Sequence, residues 1–297
     1  MTIADLTEPE TDPGTEPQTR YDEIAEGYAR HWGPVIRPGA ERVLELIAPA
    51  IEAALGTGLP PRLLDIGTGT GTLAIAALER WPAIQVTGID PSAGMLVIAR
   101  RAANERLVPR EHGHFETVVA YADELPFDPA SFDLAVSSFV LQLVPSRIAA
   151  LREAHRVLAP GGTFAWVAWQ RSDRPYAPDR IANEVLDDAG FDPPEAGSQP
   201  GDVASAEAAA LSMRRAGFRD VRAHVDEVAH LWSAADYLAF LTAFDEESLF
   251  AELEPAERTD IERRILRRLD RLTPDERTLR LPVVYALGRK PRVEAGS

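Results

Sequence analysis

Short apolar runs and amphipathic helical stretches alternate along most of this chain. Leu63, Leu64 and Ile66 give a predicted strand over 62–66, followed by a helix over 70–80, a strand over 84–89 and a helix over 93–103. Strands over 114–120 and 132–137, a helix over 146–158 and a strand over 163–169 continue the series. Ahead of them a helical pattern begins at Tyr21, and Val43, Leu44, Ile47, Ala50, Ile51 and Leu55 recur at helical spacing over 40–55. Near-continuous apolar strands alternating with helices predict an α/β fold, a doubly wound and mainly parallel sheet covered on both faces. Ligands of such sheets bind beyond the carboxyl ends of the strands.

After Trp169 the regularity breaks. Pro175, Pro178, Pro193, Pro194 and Pro200 surround one helical segment near 181–189, and 171–202 reads as a connector or substrate cover. A helix over 203–216 then leads into a strand over 221–229. Two helical stretches, 234–250 and 255–272, make a helical insertion over 233–274 before a last strand at 278–288. Ser233 fits the start of the first of them, its hydroxyl placed to accept a backbone N–H. In the second, Ile261, Ile265, Leu266 and Leu269 form one apolar stripe, with the arginines of 262–269 off it. Residues 1–19 are rich in Pro, Thr, Glu and Asp and predict a disordered acidic tail, leaving one domain over 20–297.

Composition narrows the chemistry. A formal charge of −16 over 297 residues and a pI near 4.8 repel polyanions, so no nucleic-acid partner is expected. The chain has no cysteine, which excludes disulfides, thiolate nucleophiles and cysteine-bound zinc, and no metal site is read from the remaining ligand types. Lys290 is the only lysine, so no Schiff-base chemistry is expected and nearly all positive charge sits on arginine. The acidic opening 1–10 lacks the pattern of a secretory signal, and no apolar run approaches a membrane span. A cytoplasmic location without membrane association is the expectation.

The stretch Leu63-Leu-Asp-Ile-Gly-Thr-Gly-Thr-Gly-Thr72 runs a buried strand into a glycine-rich turn and a helix start. Such a turn lets backbone approach a ligand closely and aims unpaired N–H groups at it. Gly69-Thr-Gly-Thr-Leu-Ala74 matches a variant of the dinucleotide fingerprint, and Asp90 closes the second strand where a carboxylate accepts ribose hydroxyls. The loop and Asp90 therefore leave an NAD-dependent oxidoreductase open.

Further on stand Ala122-Asp-Glu-Leu-Pro-Phe127, Ser131-Phe-Asp-Leu-Ala-Val-Ser137 and Leu158-Ala-Pro-Gly-Gly-Thr163. With Leu63–Thr72 and Asp90, this ordered set resembles the class I S-adenosylmethionine-dependent methyltransferases, in particular the group acting on small molecules, over residues 21–170. The resemblance implies a Rossmann-like sheet of seven strands, the seventh antiparallel and matching 278–288. It implies that Asp65, Gly67, Thr68 and Gly69 approach the methionine and ribose portion of S-adenosylmethionine and that Asp90 binds the ribose hydroxyls. Met95 matches a position packed near the adenine, Ala122 and Asp123 match the adenine site, and Ser137 would lie beneath the sulfonium. Tyr21–Trp32 resembles the opening helix that folds over the cofactor in these enzymes, with Tyr21 and Tyr28 as closing residues.

The activity implied is in-line transfer of a methyl group to a small-molecule acceptor, which asks chiefly for alignment and exclusion of water. A hydroxyl or carbon acceptor also asks for a base. His31 and His230 are the candidates, and no catalytic residue is assigned. Phe139, Gln142, Trp169, Tyr176, Trp232, Tyr237, Phe240 and Phe244 either build a pocket for an apolar or aromatic acceptor or hold the added helices to the domain. No Asn-Pro-Pro-Tyr or Asp-Pro-Pro-Tyr sequence occurs, so the resemblance does not extend to methyltransferases of nucleic-acid bases. A protein that keeps the cofactor site without catalysis is the other alternative, and oligomeric state is not legible.

Overall fold

The computed structural model of the chain describes residues 17–191 and 201–292. Its strands are β1 (Arg62–Ile66), β2 (Gln85–Asp90), β3 (Phe115–Val119), β4 (Phe132–Ser138), β5 (Leu158–Trp169), β6 (Arg219–Leu231) and β7 (Thr278–Arg289). Its helices are α1 (Pro17–Gly27), α2 (Gly33–Leu55), α3 (Thr72–Arg80), α4 (Ala93–Arg106) and α5 (Arg147–Val157) in the first half. The second half adds α6 (Ala177–Asp188), α7 (Ala206–Arg215), α8 (Ala234–Phe240), α9 (Glu247–Glu252) and α10 (Pro255–Leu269). The strands form one sheet in the order β3-β2-β1-β4-β5-β7-β6. The first five pair in parallel, whereas β7 runs antiparallel to both β5 and β6. A dinucleotide-binding sheet continues 4-5-6 in parallel, so the inserted β7 separates this sheet from that fold.

The period-two alternation of β5 divides the core. Ala165, Val167 and Trp169 face α2, α6, α8 and α10, while Phe164, Trp166 and Ala168 face α5 and α7. All six are buried. The aromatic side chains of the later helices complete the first layer: Trp32 stacks on Phe240 and leans on Trp169, and Phe240 also meets Trp232, Tyr237 and Phe244. α10 buries Ile261, Ile265 and Leu269, and its arginines lie outside the stripe in pairs such as Arg264–Asp188. Ser233 caps α8, accepting from the Asp236 N–H at 3.0 Å.

Several boundaries differ from the sequence expectation. Residues 17–19, placed in the acidic tail, belong to α1, and the rest of that predicted tail lies outside the described residues, as do 192–200 of the connector. The helix expected over 40–55 begins at Gly33 and tolerates Pro38 and Pro49. β5, expected over 163–169, starts at Leu158 because Pro160–Gly162 joins the ladder: Gly161 donates to the Lys290 carbonyl and Lys290 to that of Gly162. The helical stretch over 234–250 is interrupted by a π-helical turn at Leu241–Asp245, which packs against a second one at Tyr28–Trp32 through Tyr28 and Phe244. No helix among the described residues is long and apolar enough to cross a membrane.

Candidate functional site

A cavity of about 410 Å³ opens at the carboxyl ends of β1, β2 and β4, roofed by α1. This is within the range of small-molecule sites. Asp65, Gly67, Thr68, Gly69, Asp90, Met95, Ala122 and Asp123 line it, together with Tyr21 and Tyr28. Ser137 is not brought there. Its side chain is fully buried between strands and its hydroxyl donates to the Ile66 carbonyl at 2.8 Å. Ser138, one step further along the pleat, faces the cavity instead.

Backbone conformation shapes the wall. Gly67, Gly69 and Gly71 all adopt positive φ. At Gly67 a Cβ would come within 2.2 Å of Val140 Cγ2, so only glycine lets β1 turn under the loop after β4. Thr68 is locked by two bonds, its N–H donating to the Ile89 carbonyl at 2.7 Å and its hydroxyl to Asp65 Oδ2 at 2.8 Å. The room for Thr68 comes from Gly88, where a Cβ would sit 2.8 Å from its side chain.

Two carboxylates end the central strands. Asp90 accepts from the Gly69 N–H at 3.0 Å and the Ser92 N–H at 2.9 Å, bridging the glycine loop to the start of α4. Burial nevertheless pushes its carboxyl up to about 6. Asp65 is more enclosed, and burial pushes it up to about 7; the Thr68 hydroxyl opposes that rise and the neighbouring Asp90 adds to it. Its Oδ1 is buried without a hydrogen bond, and so is the Ser138 hydroxyl. Two unmet polar atoms on the wall of one cavity are what a polar ligand would satisfy.

The roof is fixed by charge and capping. Asp22 on α1 accepts from the Ser92 hydroxyl at 2.6 Å and the Gly94 N–H at 2.7 Å, so it shares the N-terminus of α4 with the Ser92 cap. Arg101 grips Glu26 through two bonds at 2.7 and 2.8 Å. Tyr21 and Tyr28 then meet edge to face, and Met95 packs beneath them. Asp22 was not legible as a site residue, because nothing in an amphipathic opening helix marks one exposed carboxylate from another. On the other side the wall is apolar, formed by Ile36, Phe139, Val140 and Leu143. Phe139 is held at φ 57, a conformation rare for a bulky residue, and its ring lies 4.1 Å from that of Trp169.

Of the aromatic residues expected to form either a pocket or a brace, Phe139 alone reaches the cavity; Trp169, Trp232, Tyr237, Phe240 and Phe244 are buried in the core. Neither candidate histidine lines the cavity. His230 packs on Trp232 at 4.5 Å, and burial lowers the pKa of both His31 and His230.

Comparison with known proteins agrees with this geometry. Residues 64–166 match the family model of a methyltransferase domain. The chain is 33% identical over 173 residues to a ubiquinone/menaquinone biosynthesis C-methyltransferase UbiE of Methylobacterium nodulans, an alignment covering 55% of this chain and 64% of that one. It is 38% identical over 130 residues to a malonyl-acyl-carrier-protein O-methyltransferase of Geobacter sulfurreducens, covering 42% and 43%. The chain thus spans less than two thirds of the length of these curated relatives. Among solved structures, the (4+2)-cyclase SpnF superposes with a TM-score of 0.50 at 24% identity, covering 79% of this chain and 76% of that one. A putative sarcosine dimethylglycine methyltransferase of Galdieria sulphuraria gives 0.50 at 15% identity, covering 86% of each chain. At such identity the two structures speak for the fold alone. Residues 64–166 thus match a methyltransferase domain, and the strand order, the glycine loop and the two strand-end carboxylates around the cavity agree with that match.

Proposed function

We propose that the protein is a methyltransferase that uses S-adenosylmethionine to methylate a small acceptor with an apolar or aromatic body. The observation that carries this is Asp90, a carboxylate at the end of β2, oriented toward the cavity by the Gly69 and Ser92 amides. Its oxygens keep acceptor capacity for the two ribose hydroxyls. Asp123 would accept from the adenine amine, with Met95 packed against the base. Asp65 and the turn Gly67–Gly69 would face the methionine portion, where the unmet Asp65 oxygen suits an ammonium group. The cofactor, when bound, supplies an activated methyl group on a sulfonium.

The chain's own contribution is then to align and to exclude water. Ile36, Phe139, Val140 and Leu143 offer the acceptor an apolar wall, and the Ser138 hydroxyl offers one hydrogen bond beside it. The docked α1 closes the cavity with Tyr21 and Tyr28. The titratable side chains on the walls are three aspartates and three tyrosines, Tyr121 among them, so an acceptor whose nucleophile carries a free lone pair at neutral pH fits best.

Calorimetric titration with S-adenosylhomocysteine tests the cofactor site. Binding that weakens by about 10- to 100-fold in Asp90→Ala, the loss of one or more hydrogen bonds worth roughly 1–3 kcal/mol, is the expected result. Binding of NAD(H) in place of S-adenosylhomocysteine would overturn the reading.

A further inference from the structure

A second concavity, of about 550 Å³, lies between the carboxyl-terminal half of α2 and the β6–β7 edge of the sheet. It shares no lining residue with the cofactor cavity. Its wall is built by the pleat: Arg222 pairs with Leu287 and His224 with Tyr285 across the two strands, and Arg289 follows Leu287 by two residues. All of these therefore fall on one face, the face turned to α2. Leu46, Pro49 and Ala50 of α2 supply the opposite, apolar side.

The groove is lined by two arginines and one aspartate. The molecule carries a formal charge of −16, and many of its arginines are neutralised, as in Arg106–Glu79, Arg156–Glu153 and Arg268–Glu184. Arg222 and Arg289 are exposed and make no ion pair with a described residue. Asp220 lines the same groove at φ 52, beside a register shift of β6, yet it bonds to neither arginine. Asp226, Glu45 and Arg42 lie near the Tyr285 end, and Arg42 is engaged with Glu45. Two uncommitted guanidinium groups thus sit at one end of an apolar slot. Beside them the His224 ring lies nearly parallel to that of Tyr285, 5.3 Å away with planes 19° apart.

We propose that this groove is a second ligand site, for an amphipathic oxyanion: an apolar body carrying one carboxylate or phosphate group. The arginines hold the anionic head in the fork geometry that suits such groups, and α2, Leu287 and the His224 ring cover the body. The inference stands apart from the cofactor assignment, since it draws on different residues.

Isothermal titration of the full chain with octanoate, octyl phosphate and inorganic phosphate tests it, and the first two arms separate a carboxylate from a phosphate head. Saturable binding of octanoate or octyl phosphate is expected, with inorganic phosphate bound at least about ten-fold more weakly because it lacks the body. Arg222→Gln with Arg289→Gln should weaken the bound amphiphile by about ten-fold or more and leave S-adenosylhomocysteine titrations unchanged. Either single substitution serves if the pair does not fold. No binding of either amphiphile, equal binding by the variants, equal binding of inorganic phosphate, or displacement by S-adenosylhomocysteine would each overturn it.

Discussion

Replacing Asp65 by Asn should make the protein more stable at pH 8 and change little below about pH 4. Asp65 is 1% exposed, with one oxygen bonded to the Thr68 hydroxyl and the other unmet. Moving a carboxyl from its ordinary 3.8 to about 7 corresponds to roughly 4 kcal/mol at about 1.4 kcal/mol per pH unit. The sign follows from proton binding. A carboxyl raised on folding binds more protons in the native state, so its contribution is full below about pH 4 and is lost as the pH rises through about 7. Asparagine keeps the shape and the bond from Thr68 but carries no charge to bury, so the wild type alone loses this stability. Urea unfolding of both proteins without cofactor, followed by tryptophan fluorescence at pH 5, 6.5 and 8, measures the difference. The Asn variant should gain on the wild type by roughly 3 kcal/mol between pH 5 and pH 8, since only the stretch from pH 5 to about 7 of the shift lies in that range. Comparing the two proteins cancels the other titrating groups. A difference that does not change between pH 5 and pH 8 would refute the argument.

Gly67→Ala should destabilise by roughly 2 kcal/mol or more and remove S-adenosylhomocysteine binding, because it adds a clash with Val140 to a φ of +72; urea unfolding checks this, and Val140→Ala in the same chain should recover part of the loss. Asp22→Ala removes the two bonds by which Asp22 seats α1 on the start of α4, so tryptic cleavage after Arg30 should quicken and S-adenosylhomocysteine should bind roughly ten-fold more weakly. Unchanged cleavage would mean that the Arg101–Glu26 pair suffices to hold α1. Binding of a ligand ammonium beside Asp65 and Asp90, raised to about 7 and about 6, should lower both and release protons between pH 5.5 and 7.5. Titrations at pH 6.5 in phosphate and in Tris should then give different enthalpies, and equal enthalpies would exclude the linkage.

The parallel half of the fold was readable because its strands are short apolar runs separated by strong punctuation: β1 begins and ends where the pattern of Leu63, Leu64 and Ile66 places it. The cavity was largely readable as well, since strand ends and glycines fix which residues gather there. What the pattern could not supply was register. Ser137 and Ser138 are chemically identical neighbours, and only the pairing of Ser137 with Ile66 decides that the first is buried in the sheet and the second faces the cavity. The same holds for the late aromatic residues, whose hydrophobicity is compatible with a pocket or a core until the packing of Trp32, Phe240 and Trp169 is known. The extent of β6 was underread because its residues are mostly exposed, so its ends carry no apolar signal.

The insertion of β7 between β5 and β6 also governs how the chain assembles. Among the described residues β6 has β7 as its one strand partner, yet 46 residues of helix and loop separate Leu231 from Thr278. During synthesis the edge of β5 therefore stays bare, with Phe164 and Trp166 beside it, until β7 emerges and brings β6 in with it as an antiparallel ribbon. Strands β1 to β5, with every loop of the cofactor cavity, can pair before that moment. A chain cut after Arg277 would keep the cavity floor and present an unpaired parallel edge, a template for association with other unfinished chains.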